Sequence, residues 1–242
     1  MNDFDRILKK RLMKLRGFFW QMYSGICLRY TPLNQWLLSQ KTKKLKIDRL
    51  HIGCGNILIS GWLNISYEKR EEYGRLKKIN GCLFLNYKLP EALPVDDGSI
   101  QYLAASHFIE HLDLNEGLNF FKEAFRVMKR GGTIHISCPD LELYATHYIN
   151  RNKVFFDHPA ISEACTFKNA ATPGEIFIAK AYDSGGAHRW FYDGESLKHV
   201  LERAGFRDAR KIKRLDSVIP DIEKIELPER EIETVYVEAK KL

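Results

Sequence analysis

One short connection limits what this chain can become. Leu50-His51-Ile52 reads as a buried strand that runs into the glycine turn Gly53-Cys54-Gly55-Asn56, and a second strand begins again at Gly61-Trp62-Leu63-Asn64-Ile65-Ser66. A helical crossover between parallel strands takes at least about ten to twelve residues. The gap here is too short for one, so the first helix of an α/β unit is predicted to be absent or reduced to a turn. Gly53 and Gly55 suit a strand end that bends sharply and lets a ligand approach main-chain amides. A dinucleotide-binding oxidoreductase is disfavoured, because its pyrophosphate rests on the N-terminus of the helix that is missing.

Further strands and helices follow from periodicity. Residues 82–85 read as a third strand and 100–105 as a fourth, after the Asp96-Asp97-Gly98 turn. Over 115–128, Leu118, Phe121, Phe125 and Met128 share one helical face, and Gly131-Gly132 ends the helix. Residues 133–138 form a fifth strand stopped by Pro139. Residues 196–204 form a helix closed by Gly205, and 206–215 with 231–239 give two final strands. The expected fold is an α/β, Rossmann-like, seven-stranded, mostly parallel sheet with an antiparallel terminal pair. Between residues 141 and 193 the pattern blurs into aromatics and histidines, which marks a substrate-covering insertion.

Charge separates the two ends of the chain. Residues 1–46 hold eleven Lys or Arg against Asp3 and Asp5, whereas the remainder is close to neutral although the whole carries +7. Phe4, Leu8, Leu12, Leu15, Phe19 and Met22 recur at three-to-four-residue steps, so this stretch reads as a basic amphipathic helix. The expected organisation is a helical appendage over 1–46 and a catalytic domain over 47–242. Packing on the domain, contact with an anionic membrane surface and RNA binding are its readings, RNA ranking last. The apolar run at 18–28 is shorter than the roughly 20 residues of a membrane span, and no signal-peptide cleavage pattern follows it. Five cysteines without a Cys-x-x-Cys pair point to a reducing, cytoplasmic setting rather than to disulfides or a zinc ribbon.

Taken with Leu93-Pro94-Val95-Asp96-Asp97-Gly98-Ser99, Glu110-His111-Leu112 and Lys129-Arg130-Gly131-Gly132, the Gly-Cys-Gly turn and the Gly-Trp-x-Asn strand resemble class I S-adenosylmethionine-dependent methyltransferases. The closest likeness is to the bacterial type 11-like group, and it is strongest over residues 48–140. It implies S-adenosyl-L-methionine as cofactor, held by Gly53, Cys54, Gly55, Asn56, Ser66, Asn86 and Ser106. Ser66 and Asn86 stand where the family usually has carboxylates for the ribose and the adenine amine. Charge-assisted bonds are roughly twice as strong as neutral ones, and Glu68 is the available substitute.

For proton removal from an acceptor hydroxyl the candidates are His107, Asp140 and His188, with Arg189 as a holder of phosphate or carboxylate. His107, Glu110 and His111 have helical i, i+3, i+4 spacing. The favoured reading gives Glu110 and His111 a capping and packing role at a helix start, with no metal. By resemblance the acceptor is a small polar molecule or glycan precursor of surface polysaccharide synthesis. The alternatives are an RNA or quinone methyltransferase, and a degenerate fold serving as a non-catalytic scaffold or partner subunit.

Overall fold

Leu50 and Ile52 point to one side of their strand and His51 to the other, and all three are buried, so both faces of the strand need cover. The computed structural model describes residues 32–68, 73–89, 92–162, 169–182 and 187–242. Its sheet contains β1 (Arg49–Ile52), β2 (Leu63–Ser66), β3 (Leu76–Ile79), β4 (Cys82–Asn86), β5 (Ile100–Ser106), β6 (Met128–Pro139), β7 (Arg207–Ile212) and β8 (Thr234–Lys240). The spatial order is β3-β4-β2-β1-β5-β6-β8-β7. Strands β4, β2, β1, β5 and β6 are parallel, and β8 lies antiparallel to both β6 and β7.

This is the expected Rossmann-like sheet with its antiparallel end. It has eight strands instead of seven because β3 folds back antiparallel on β4. The hairpin turns at Asn80-Gly81, whose φ values of 48° and 83° match the twist of the flanking strands. Two lysines in Leu76-Lys77-Lys78-Ile79 suit an edge strand and hide its apolar alternation.

One sheet face carries the apolar core. Phe120, Phe121, Ala124 and Val127 of α2 (Leu114–Val127) pack there with Leu197, Val200 and Leu201 of α5 (Gly194–Arg203). α2 begins at Asp113, whose carboxylate accepts from the Asn115 and Glu116 amides while Glu116 accepts from the Asp113 amide. Upstream, α1 (Pro32–Lys44) lies against the same domain: Leu38 is buried in its core, and the Thr42 hydroxyl donates to the Pro94 carbonyl at 2.8 Å. Leu38 and Thr42, within the expected appendage, therefore pack against the sheet region. The amphipathic helix expected over 4–22 lies outside the described residues.

The opposite face is polar. Register places Asn64, His51, Ala104, His135 and Glu238 in one row across five strands, with Ser106 and Ser137 paired in the next. Residues 53–62 make turns only, so no crossover helix covers this row. The β7–β8 connection does so instead. Ile222 and Ile225 of α6 (Ile222–Ile225) pack with Ile219 on Ile59, Trp62 and Ala104, and the Trp62 indole donates to Asp221 at 3.1 Å. Beneath them the fully buried Glu226 accepts from Ser106 at 3.0 Å, Ser137 at 2.7 Å and His135 Nε2 at 2.9 Å.

Residues 141–193 form a helical lobe with its own small core of Tyr144, Phe155, Phe156, Ile161 and Ile176. Its main helices are α3 (Leu141–Ile149) and α4 (Pro173–Ala181).

Burial alone would lower the pKa of His135, but the bond to Glu226 and the proximity of Glu238 outweigh it and the value is raised. A raised folded-state value contributes stability that is complete below the unfolded histidine pKa of about 6.5 and is lost as pH rises through the folded value. His135→Ala should cost about 3–5 kcal/mol in urea denaturation, as for breaking a buried pair. It should also flatten the decline of stability with rising pH above neutrality.

Candidate functional site

In an open α/β sheet, ligands bind beyond the carboxyl ends of the strands where strand order reverses. Here that place is the junction of β1 and β5. The two glycines of the turn serve different ends. Gly53 has φ +66°, and a Cβ there would sit 2.7 Å from the Phe108 Cβ, so its bare α-carbon makes room for a side chain of the protein itself. Gly55 has φ +48° and faces open space. A cavity of about 370 Å³ lies beside them, lined by Gly53, Gly55, Ser66 and His107, with apolar walls that include Ile65, Tyr87, Leu89 and Phe108. Its main-chain rim and apolar slot fit a flat aromatic base joined to a polar tail. Among the described residues no Asp or Glu lines it.

The other expected cofactor residues stand behind this wall. Cys54 is buried, and burial with Glu68 nearby pushes its thiol up to about 12. Asn56 is exposed next to the turn. The Asn86 side-chain oxygen accepts from the Glu68 amide at 2.9 Å and so holds the loop after β2. Glu68 itself reaches toward Lys77 at 3.9 Å. Ser106 faces Glu226 in the polar layer. None of Cys54, Asn56, Asn86 and Ser106 lines the cavity.

A second cavity of about 420 Å³ meets the first, since His107 and His111 line both. Its wall includes Glu110, Lys180, His188, Glu229, Arg230 and Glu233. His107 sits at φ +48° directly after β5. Its Nε2 lies 2.9 Å from the Thr234 hydroxyl, which itself donates to the Arg230 carbonyl. The threonine oxygen is thus left as acceptor, Nε2 carries the proton, and Nδ1 keeps its lone pair 3.5 Å from Glu110 Oε1. Burial first, then the charges of Arg230 and Lys180 and the neighbouring His188 and His111, hold His107 well below the usual histidine range. It is a neutral imidazole at physiological pH.

The remaining candidates separate. His188 is buried at this cavity, its Nδ1 donating to the Lys180 carbonyl at 2.9 Å, and its ring stands edge-on to His111 with centroids 4.9 Å apart. Asp140 lines neither cavity. It caps α3 by accepting from the Glu142 amide, and burial raises its pKa. Arg189, expected to hold an anion, is engaged by Asp113 at 2.8 Å and by Glu116.

Lys180, Arg230 and Glu233 were not singled out from sequence. Lys180 pairs with Glu233 at 2.9 Å, and Tyr144 donates to Glu233 at 2.5 Å. These residues come from α4 and from the segment before β8, and only the folded chain brings them together.

Residues 50–136 match a family model described as a methyltransferase domain. That stretch is about a third of the chain. The match runs from β1 into β6, the parallel strands that build the cavity wall. Methyl transfer is the enzyme class which that description gives. Similar solved structures include a SAM-dependent methyltransferase from Thermotoga maritima, at 17% identity over 92% of this chain and 99% of that one, with a TM-score of 0.46. Another SAM-dependent methyltransferase, from Archaeoglobus fulgidus, is 17% identical over 93% and 99%, with a TM-score of 0.42. Phosphoethanolamine N-methyltransferase 2 of Haemonchus contortus, in complex with S-adenosyl-L-methionine, is 13% identical over 83% of this chain and 52% of that one, at 0.42. No curated protein matches the chain.

The contrast between the glycines gives a measurable difference. Gly55→Ala should destabilise by about 1–2 kcal/mol, the strain of a left-handed backbone at a residue with a Cβ. Gly53→Ala should lose more in the same urea titration, because it must also displace Phe108.

Proposed function

We propose that this methyltransferase acts on a small polar molecule or glycan precursor of surface polysaccharide synthesis, bound in the cavity between His107 and Arg230. The meeting of two cavities at His107 and His111 carries this reading. The main chain at Gly53 and Gly55 and the Ser66 hydroxyl line the cofactor side, with Cys54 and Asn56 completing the turn. When bound, S-adenosylmethionine supplies a methyl group on a positively charged sulfur. The protein's part is to align an acceptor atom with that group, and alignment is a large share of such catalysis. His107 serves as base for a hydroxyl acceptor, with the lone pair on its Nδ1 beside Glu110. His188 helps shape the acceptor side, and Arg230 offers a cation to a phosphate or carboxylate. The many polar groups of the acceptor cavity favour this over a quinone, which would need a largely apolar site.

A non-catalytic scaffold is the competing reading, favoured by Ser66 standing on the cofactor cavity where the resemblance implies a carboxylate. Calorimetry with S-adenosylhomocysteine decides between them. The full chain should bind, and Ser66→Asp should tighten binding about tenfold, the ~1.4 kcal/mol separating a charge-assisted from a neutral bond. No heat from either protein would leave the scaffold.

We place the enzyme in the cytoplasm, with residues 1–31, seven Lys or Arg against two Asp, resting on an anionic inner leaflet. No helix of the described residues is long and apolar enough to cross a membrane. Full-length protein should sediment with vesicles containing phosphatidylglycerol, and protein lacking residues 1–31 should stay in the supernatant. Equal sedimentation of the two would end this assignment.

A further inference from the structure

Glu110 is 1% exposed, and neither of its carboxyl oxygens has a hydrogen-bond partner among the described residues. The sequence reading gave it a capping role, but the cap of α2 is Asp113 and Glu110 caps nothing. A carboxyl held out of water with no donor is destabilising unless something at the site compensates it. Among the described residues its ion-pair contact is with His107 at 3.5 Å.

Two imidazoles converge on the same place. His111 Nδ1 faces the Ala187 carbonyl at 3.3 Å, and His188 Nδ1 faces the Lys180 carbonyl at 2.9 Å. A ring nitrogen facing a carbonyl must carry the proton, so each neutral ring has its lone pair on Nε2. Carbonyls behind imidazoles in this way orient the histidines of metal centres. One donor atom from each of Glu110, His111 and His188 lies within 4.8 Å of the others. A zinc ion forms bonds of ~2.0–2.2 Å to nitrogen and oxygen, so binding would draw these three groups inward. The Arg189 and Trp190 amides donate to the Glu110 carbonyl at 2.7 and 3.2 Å, so the two ligand-bearing segments are already joined. Lys180 is paired with Glu233, and Glu229 lines the same cavity, which tempers the local positive charge.

We propose that Glu110, His111 and His188 bind one divalent transition-metal cation of the zinc type, with its open coordination positions turned to the second cavity. Two imidazoles and one carboxylate suit such an ion, whereas magnesium and calcium prefer oxygen donors throughout. Three protein ligands with a vacant fourth position is the arrangement of a site that takes a further oxygen ligand. That this oxygen is the methyl acceptor's rests on the reading of the cavity given above. The metal site itself does not.

Cobalt(II) is the probe. Full-length protein treated with a chelator and then titrated with cobalt chloride should take up one equivalent, with visible ligand-field bands and no near-ultraviolet thiolate charge transfer. His111→Ala, His188→Ala and the near-isosteric Glu110→Gln should each weaken uptake by at least about tenfold, and the exposed His199→Ala should not. Uptake that fails, shows thiolate bands or survives all three substitutions overturns the site. S-adenosylhomocysteine titration of the same samples separates the two proposals. Homocysteine-ligand binding without cobalt uptake rejects the metal alone, and cobalt uptake without ligand binding rejects the methyl-transfer assignment alone.

Discussion

The short connection between β1 and β2 is the constraint from which the rest of this structure follows. With no room for a crossover helix, one face of the parallel sheet would lie open at its centre. The chain closes it with the β7–β8 connection, whose isoleucines settle on Trp62 and Ile59 and whose Asp221 accepts from the Trp62 indole. A connection lacks the continuous apolar stripe of a long helix, and the sheet beneath it is correspondingly polar. Glu226 is the group that makes this polarity tolerable, since it takes hydrogen bonds from two strands at once, Ser106 on β5 and both Ser137 and His135 on β6. Satisfied in this way, a buried polar layer specifies one arrangement of its strands.

The same connection continues into the site. Directly after Glu226 come Leu227, Glu229, Arg230 and Glu233, all on the wall of the second cavity, and then Thr234, which fixes the His107 ring. The first cavity is thus built from the first half of the chain. The second adds walls from its last quarter and from the lobe of residues 141–193. His107 stands where they meet, in a left-handed backbone conformation that turns the chain out of β5.

Much of this was legible in the sequence, for identifiable reasons. The glycine turn, the shortened crossover and α2 are local patterns, and local patterns survive folding; the expected helix stop at Gly131-Gly132 is corrected, since α2 ends at Val127 and both glycines lie within β6. Strand β3 was missed because lysines mask its alternation, although Asn80-Gly81 is a sound hairpin signal. Side-chain direction was the harder quantity. Ser106 and Asn86 occupy strand ends at the right edge of the sheet, yet their side chains serve the polar layer and the loop after β2. Asp140 reads as chemistry until α3 is seen to begin beside it. Arg189 looked available for a ligand until Asp113 and Glu116 claimed it. Lys180, Arg230 and Glu233 are brought together by tertiary contacts across more than fifty residues, and no periodicity announces that.

The lobe over the site leaves and rejoins the sheet at a single point. Asp140 bridges Tyr192 in parallel fashion, and the Leu141 amide donates to the Tyr192 carbonyl at 2.8 Å, so its two ends are neighbours in space. Between them the chain packs around Tyr144 and Phe156 in a core of its own. Such a unit is a cassette. Exchanged whole at residues 140 and 192, it offers evolution or a designer a way to replace one wall of the second cavity while the glycine turn and its strands stay untouched.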